Sequence, residues 1–400
     1  MARQIVTGID VGTAAVKVVI AELTTENGHA IPKIIGVGSA ESRGVSRGYI
    51  TNISDAAKSV STAVLRAEKM AGTKIRRAYA AVAGVGLGGI LGIGNTVNSR
   101  ADLEIGERDV TLALEAAEAA IPPSVSINKK IINTVPIEYK IDGKPIWGSA
   151  LGLRGQKLEV KALFITCFEH HLNNLISTLE EAGVEVADVV AAPVAASFVT
   201  LSKKQKKVGC LLLDMGAETT SIVVYENNNL VSLEVFPVGG ADITNDIALG
   251  LKISIDDAEN IKLDLDRRIM YSKKKLDDII SSRLGEIFSL IDKHLRAIGR
   301  DGLLPGGSII TGGGTMLSGI KHSAEQVLKL PSQLSEIHFS TVHETKIKDR
   351  AWAVALGLVV VGFNSDDEQS ALGIRGGINI TESSRRWVKS LGRWFSQFLP

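Results

Sequence analysis

Residues 5–23 read IVTGIDVGTAAVKVVIAEL, and this stretch decides the fold. The pattern predicts an apolar strand that ends at Asp10, a glycine turn, and a second apolar strand from Val16 onward. A carboxylate at the strand end can hold a magnesium ion through water, and a glycine turn exposes backbone N–H groups to phosphate oxygens. A lone D-x-G hairpin is more often an ordinary turn. The candidate ligands here are Asp10 for the metal and Gly12, Thr13, Ala14 and Lys17 for phosphate.

The same pattern of strand, aspartate, glycine turn and strand occurs again in residues 210–225, CLLLDMGAETTSIVVY. An apolar strand again ends in an aspartate, a glycine turn follows, and hydroxyl side chains precede a β-branched return strand. Two similar hairpins about 200 residues apart indicate a duplicated unit whose turns face one cleft and clamp a nucleotide. The candidate ligands are Asp214 for the metal and Gly216, Ala217, Glu218 and Thr219 for the nucleotide.

Two later segments extend the predicted nucleotide site. Residues 255–263 predict a helix in which Glu259 and Lys262, three positions apart, meet either the same ribose or each other. Residues 311–316, TGGGTM, place three glycines between a strand and a helix, where a flat adenine ring or a phosphate can pass close to the backbone. The further candidates are Gly239, Gly240, Glu259, Lys262, Gly312, Gly313, Gly314 and Met316.

Composition excludes several classes of function. Lys and Arg number 45 against 44 Asp and Glu, so no global charge favours nucleic-acid binding. Cys167 and Cys210 lie in apolar strand-like runs, which predicts buried thiols in a reducing compartment. The first residues lead directly into a core strand, so we expect no signal peptide and a cytoplasmic protein. The longest apolar run, residues 351–363, is too short to span a bilayer and predicts a buried helix.

Residues 84–89, GVGLGG, form a nominal G-x-G-x-x-G motif. The following ILGIGNTVNSRADLEI is β-branched and polar and does not begin a helix, which argues against a dinucleotide-binding fold. We therefore interpret these glycines as a flexible entry into an inserted subdomain that runs to about residue 158 and contains one helix over 106–120.

In this order the motifs resemble the actin-like ATPase superfamily and, within it, the FtsA family of bacterial cell-division proteins, over nearly the whole chain. GIDVGTAAVK, LLLDMGAETTSI and IITGGGTMLSGI resemble the superfamily's two phosphate motifs and its adenosine motif. VGGADITNDIALGL, DDAENIK, DDIISSR, VNSRADLEIGERDV and ALGLRGQKLEV resemble FtsA in particular. The resemblance implies an α/β, actin-like (ribonuclease H-like, duplicated) fold, with two lobes around a nucleotide cleft and an FtsA-type inserted subdomain.

The implied subdivision has six parts. The first lobe comprises residues 1–83, 159–203 and about 350–363, and the inserted subdomain comprises 84–158. The second lobe has a core of 204–240 and 307–349 and an outer subdomain of 241–306. Residues 364–381 form a flexible linker, and residues 382–400 form an amphipathic membrane-targeting helix.

Carried over by position, the resemblance implies ATP and Mg²⁺ as ligands. Asp10 and Asp214 would hold the metal, the glycine turns would contact the phosphates, and Glu259 with Lys262 would bind the ribose. Residues 312–316 would border the adenine.

One position departs from the superfamily pattern. Many of these ATPases carry Glu or Gln just before the proline of the hinge segment, where it orients the attacking water. Here Ala192 precedes Pro193, and alanine cannot perform that step of phosphoryl transfer. We therefore expect firm ATP binding with slow or undetectable hydrolysis, and Asp10 and Asp214 are the catalytic candidates if hydrolysis occurs.

Residues 382–400, ESSRRWVKSLGRWFSQFLP, predict an amphipathic helix on a polar tether. Tryptophan suits the boundary between water and acyl chains, and basic side chains suit an anionic membrane surface. The alternative is a helix that docks on the protein itself. The apolar face comprises Trp387, Val388, Leu391, Trp394, Phe395, Phe398 and Leu399, and the basic residues are Arg385, Arg386, Lys389 and Arg393.

The resemblance implies a peripheral protein on the cytoplasmic side of the cell membrane at the division site. Its implied partners are the C-terminal peptide of the tubulin-like protein FtsZ, other division proteins, further copies of itself in a filament, and anionic lipid. An alternative within the fold is a PilM-like adaptor of type IV pilus assembly, which the first hairpin fits but the amphipathic tail does not. A sugar kinase would need a catalytic carboxylate and a sugar pocket, for which the sequence offers no candidate.

Overall fold

The computed structural model describes residues 4–26, 29–263, 271–317, 319–339, 347 and 349–372. Two five-stranded sheets dominate it, in the orders β11-β6-β1-β2-β3 and β14-β13-β12-β15-β16. Each sheet consists of an antiparallel three-strand meander extended by two parallel strands on the side of its first strand. The repeated strand order confirms the duplication that the two hairpins predicted.

The first lobe surrounds the sheet that begins with residues 5–23. Its elements before the insert are β1 Ile5–Val11, β2 Ala15–Glu26, β3 His29–Glu41, β4 Val45–Ser46, β5 Tyr49–Ile50, α1 Ile53–Ala71 and β6 Arg77–Val82. Helix α1 begins at Asn52, whose side chain accepts from the Asp55 N–H, and ends at Gly72 in the left-handed region.

A second small sheet, in the order β7-β10-β8-β9, forms the insert. The elements are β7 Gly88–Val97, α2 Glu107–Ala119, α3 Pro123–Ser126, β8 Lys129–Ile141, β9 Lys144–Ile146 and β10 Lys157–Phe168. Its separate core lies between α2 and one face of the sheet. Because the whole of β10 pairs with β7 and β8, the insert extends to Phe168, whereas the sequence predicted an end near residue 158.

The chain then completes the first lobe and builds the second. The elements are α4 Glu169–Glu181, β11 Glu185–Ala191, α5 Ala192–Thr200, α6 Lys203–Val208, β12 Cys210–Met215, β13 Thr220–Glu226, β14 Asn229–Phe236, α7 Gly240–Leu251, α8 Ile255–Lys262, α9 Lys273–Ala297, β15 Ser308–Thr311, α10 Ile320–Leu328, β16 Ser332–Leu334 and α11 Ala353–Leu372. Short 3-10 helices span Gly313–Met316 and Arg350–Trp352.

Helix α11 returns to the first lobe and packs on α5 and β1. The contact is close because Gly357 faces the backbone of Ala195, and a Cβ at position 357 would overlap the Ala195 carbonyl oxygen. Small residues thus bring two helix backbones together where the first lobe leads into the second.

Two expectations about the last part of the chain have different outcomes. Helix α11 continues to Leu372, so the predicted tether does not start at residue 364. The remaining tether and the amphipathic segment 382–400 lie outside the described residues. Among the residues that the structure does describe, no helix combines the length and the apolar content needed to cross a bilayer.

Candidate functional site

The two predicted acidic turns face one another across the two lobes. Asp10 is buried and lies opposite Lys17 in the β1–β2 register. Burial raises the pKa of Asp10, and the Lys17 charge opposes that rise. Burial and the neighbouring Asp10 carboxylate raise the pKa of Asp214 to about 7, while Lys17 lowers it. The Asp214 carboxylate of the second lobe thus lies within electrostatic reach of Asp10 and Lys17 of the first lobe.

Both glycine turns are tight. At the first turn, a Cβ at Gly12 would come within 3.1 Å of the Ala15 carbonyl oxygen. At the second, the Gly216 N–H donates to the Thr219 carbonyl at 2.8 Å. The Gly240 N–H donates to the Gly216 carbonyl at 3.0 Å, and the Ala241 N–H donates to the Ala217 carbonyl at 2.7 Å, so the second turn is fixed to the start of α7. A Cβ at Gly239 would overlap that turn, which explains the glycine there.

Glu259 and Lys262 meet each other next to this turn. The Lys262 Nζ lies 2.6 Å from the Glu259 Oε2 and donates to the Gly240 carbonyl at 3.1 Å and to the Thr244 Oγ1 at 2.7 Å. Thr244 in turn donates to the Glu259 carboxylate. The Lys262 side chain is 8% exposed and that of Glu259 is 42% exposed, so the carboxylate is the part that remains open to a ligand.

The triple glycine of residues 312–314 lies beside the second phosphate turn. Gly312 follows β15 with φ 95°, and a Cβ there would overlap the Asp214 carboxylate. Gly314 lies against Met215 and close to Gly240, so the predicted adenosine segment borders the second phosphate turn. Met316 is 69% exposed, which leaves a large apolar side chain available to a flat ring.

Glu218 has a role that the sequence did not predict. Its Oε2 accepts from the Arg47 N–H at 2.5 Å and from the Ser46 hydroxyl at 3.2 Å, both in the first lobe. On the other side of the same loop, the Gly48 N–H donates to the Thr13 Oγ1 at 3.1 Å. The loop over residues 46–48 therefore bridges the tips of both turns, and the Glu218 carboxylate is engaged by protein groups.

The donor set fits a magnesium–nucleotide complex. Within the described part of the chain, no three His, Cys, Asp or Glu side chains cluster as a metal-ligand set. Mg²⁺ in nucleotide sites is commonly held by one or two carboxylates together with phosphate oxygens and water. Asp10 and Asp214 supply the two carboxylates, and burial raises the pKa of each.

Sequence reasoning missed Thr244 and the loop over residues 46–48. Thr244 lies one helical turn after Gly240, so a hydroxyl four residues beyond the Val-Gly-Gly segment was the available signal. The loop over residues 46–48 carries no such signal in the sequence, because the partner of Arg47, Glu218, is 171 residues away in the chain. Ala192 is buried at the first position of α5, where its methyl group offers no polar contact.

Comparisons with known proteins agree with this architecture. Family models match as "Cell division protein FtsA" over residues 211–357 and as "SHS2 domain inserted in FTSA" over residues 93–166. The cell division protein FtsA of Borreliella burgdorferi is 31% identical over 383 residues, which cover 90% of this chain and 91% of that protein.

Two solved structures share the fold. A PilM–PilN type IV pilus biogenesis complex aligns with a TM-score of 0.64 at 20% identity over 89% of this chain and 98% of that chain. MreB5 of Spiroplasma citri bound to AMPPNP aligns with a TM-score of 0.53 at 11% identity over 93% of this chain and 99% of that chain. At these identities the likeness carries the fold alone, and it confirms the predicted actin-like class.

Proposed function

Because the chain belongs to the FtsA family of cell-division proteins, we propose that it binds ATP with Mg²⁺, polymerises on the inner face of the cytoplasmic membrane and anchors FtsZ filaments there. The observation that carries the nucleotide proposal is that residues 46–48 bridge the two duplicated turns, because Gly48 donates to Thr13 of the first turn and Arg47 donates to Glu218 of the second. AMPPNP in the structurally similar MreB5 supports the choice of ATP.

Each group of residues then has a task. Asp10 and Asp214 would hold Mg²⁺, which neutralises phosphate charge when bound. The N–H groups of both turns, Thr13 and Lys17 would bind the phosphates. Glu259, Lys262 and the segment around Met316 would enclose the nucleoside. Titration calorimetry with MgATP tests this, with Asp214→Asn as the variant expected to lose most of the affinity.

Hydrolysis should be slow, because Ala192 occupies the position from which a polar side chain would orient water. ATP would then act mainly as a ligand that sets the shape of the two lobes. Phosphate release by the purified protein checks this. A turnover faster than about one per second, which is ordinary for an enzyme, contradicts it.

Membrane attachment rests on the sequence of residues 382–400. Four basic side chains near an anionic leaflet contribute roughly 1 kcal/mol each. Seven apolar side chains, only partly buried, contribute roughly 1 kcal/mol each after a discount from full burial. Ordering the helix costs several kcal/mol of that sum. One copy should bind reversibly, and a filament carrying many copies should bind strongly.

Vesicle sedimentation tests the attachment. Deletion of residues 382–400 should leave MgATP binding intact and release the protein from anionic vesicles. A matched full-length variant, Trp394→Ser with Phe395→Ser, should give the same release without shortening the chain. Unchanged sedimentation of both variants rejects the membrane proposal.

The partner proposal follows from family membership. The outer subdomain of residues 241–306, with α8, α9 and nearly all of α7 around one core, would present the surface for the FtsZ C-terminal peptide. Imaging the protein with ATP and anionic vesicles, with and without that peptide, tests it. Filaments on lipid that capture the peptide support the proposal, and filaments that ignore the peptide contradict it. The PilM-like alternative is less favoured, because both family models that match are FtsA models.

A further inference from the structure

The short hairpin over residues 44–50, which contains β4 and β5, contacts three separate parts of the molecule. Its tip contacts the first phosphate turn through Gly48 and Thr13. The same tip contacts the second phosphate turn through Arg47 and Glu218. Tyr49, the residue that follows the tip, packs where the insert leaves and rejoins the first lobe. We call this segment the bridging hairpin.

The tip is shaped for these two contacts. Arg47 and Gly48 both have positive φ, 48° and 77°, which turns consecutive N–H groups toward opposite lobes. Gly48 is also pressed against the backbone of Gly84, and a Cβ on Gly48 would lie 2.5 Å from the Gly84 Cα. A non-glycine residue in the left-handed region is uncommon. The Arg47 N–H donates to the Glu218 carboxylate, and this charge-assisted hydrogen bond offsets the cost of the backbone conformation.

Tyr49 contacts both connections of the insert. The Tyr49 ring lies edge-on to the His171 ring, with centroids 4.8 Å apart, and His171 Nε2 is 2.9 Å from the Ala83 carbonyl oxygen. A Cβ on Gly86 would lie 3.2 Å from the Tyr49 hydroxyl and would overlap Phe168, the last residue of β10. The chain thus enters and leaves the insert against Tyr49.

We propose that the bridging hairpin couples nucleotide occupancy of the cleft to the position of the insert, with Glu218 as the positioning residue that closes it. This inference rests on the proposed ATP binding and adds the route by which the insert responds. Glu218 acts through the hairpin backbone rather than on the nucleotide.

The chemistry of Thr13 gives the coupling its direction. A hydroxyl has one proton to donate and lone pairs to accept. The Thr13 Oγ1 accepts from the Gly48 N–H, so its proton is free to point at a phosphate oxygen without breaking that bond. A bound triphosphate then favours the arrangement in which Thr13 holds Gly48, and Glu218 can reach Arg47 only when the second turn is also close. By linkage, closing the hairpin strengthens nucleotide binding by the same factor.

Hydrogen exchange with and without MgATP tests the coupling. In the wild type we expect MgATP to slow exchange at the two turns, in residues 44–50 and at the insert junction over residues 83–90. Glu218→Ala should keep the protection at the first turn, lose the protection at the insert junction, and weaken MgATP about threefold to tenfold. Glu181→Ala is the matched control, because it removes an exposed carboxylate that accepts from the Ser54 hydroxyl within the first lobe. It should behave as the wild type.

A second variant separates the Tyr49 contacts from the two hydrogen bonds of the tip. Tyr49→Leu should retain protection at both turns and at residues 46–48, and lose protection only at the insert junction. The coupling is overturned if the Glu218→Ala protein protects its junction like the wild type, or if wild-type MgATP protects the turns but leaves the junction unchanged. A wild type that binds no MgATP by calorimetry overturns the proposed function itself and this inference with it.

Discussion

Lys262→Met is the substitution whose effect the structure specifies in most detail. The Nζ of this nearly buried side chain contacts the Gly240 carbonyl, the Thr244 hydroxyl and the Glu259 carboxylate at 2.6–3.1 Å. Methionine fills a similar volume and removes all three contacts. The loss leaves the Gly240 carbonyl without this bond at the point where α7 begins beside the second phosphate turn.

The size of the effect of Lys262→Met follows from how far the partners of Lys262 are exposed to solvent. A buried hydrogen bond to a charged group contributes about 1.5–3 kcal/mol, so the two inner bonds together are worth several kcal/mol before relaxation. The ion pair adds about 1 kcal/mol or less, because Glu259 is 42% exposed. We therefore expect the free energy of unfolding to fall by about 2–4 kcal/mol. We also expect MgATP affinity to fall by about tenfold to a hundredfold, the equivalent of one or two such bonds.

Denaturant unfolding and titration calorimetry measure the two quantities. Lys58→Met is the matched control, since Lys58 also makes an i,i+3 ion pair, with Asp55 at 3.1 Å, but is 75% exposed and distant from the turns in sequence. It should change stability by about 0.5 kcal/mol or less and leave MgATP binding unchanged. If Lys262→Met binds MgATP as tightly as the wild type, Lys262 does not belong to the nucleotide site.

Three further predictions concern charge and close packing. Burial and the neighbouring Asp10 raise the pKa of Asp214 to about 7, and Mg²⁺ needs the ionised carboxylate, so Mg²⁺ affinity measured by calorimetry should rise from pH 5.5 to about 8 and level off above; Asp214→Asn should flatten the profile. Burial lowers the pKa of Lys206 to about 7, so between pH 7 and 10 the unfolded chain binds more protons than the folded protein. Thermal stability should therefore rise with pH across that window. Lys206→Met removes this difference in proton binding and should show a weaker rise. Gly357→Ala should lower the free energy of unfolding by about 1–3 kcal/mol or more through overlap with Ala195, whereas Gly285→Ala, whose Cβ would meet open space on α9, should be neutral or stabilising in the same denaturant titration.

The acidic turns were predictable because their signal is local. A strand that ends in aspartate and a glycine turn specify a hairpin within about 20 residues, and both hairpins form as expected. The pairing of Glu259 with Lys262 follows in the same way from helical spacing, and the structure supports the alternative in which they meet each other.

The parts that escaped prediction depend on distant contacts. Residues 157–168 carry the apolar pattern of any buried strand, and only pairing with β7 and β8 assigns them to the insert. The bridging hairpin has no sequence signal, since Thr13 lies 35 residues before Gly48 within the first lobe and Glu218 comes from the second lobe. Helix α11 continues through residues 364–372 to Leu372, and the polar composition of this stretch did not indicate where the helix ends.

The central claim is that the two duplicated turns bind one triphosphate between them. An experimental structure with Mg²⁺ and a non-hydrolysable ATP analogue tests it most directly. We expect phosphates in contact with the N–H groups of both turns and a metal within ligand distance, directly or through water, of Asp10 and Asp214. A nucleotide held by one turn only, or bound away from the two carboxylates, would contradict it.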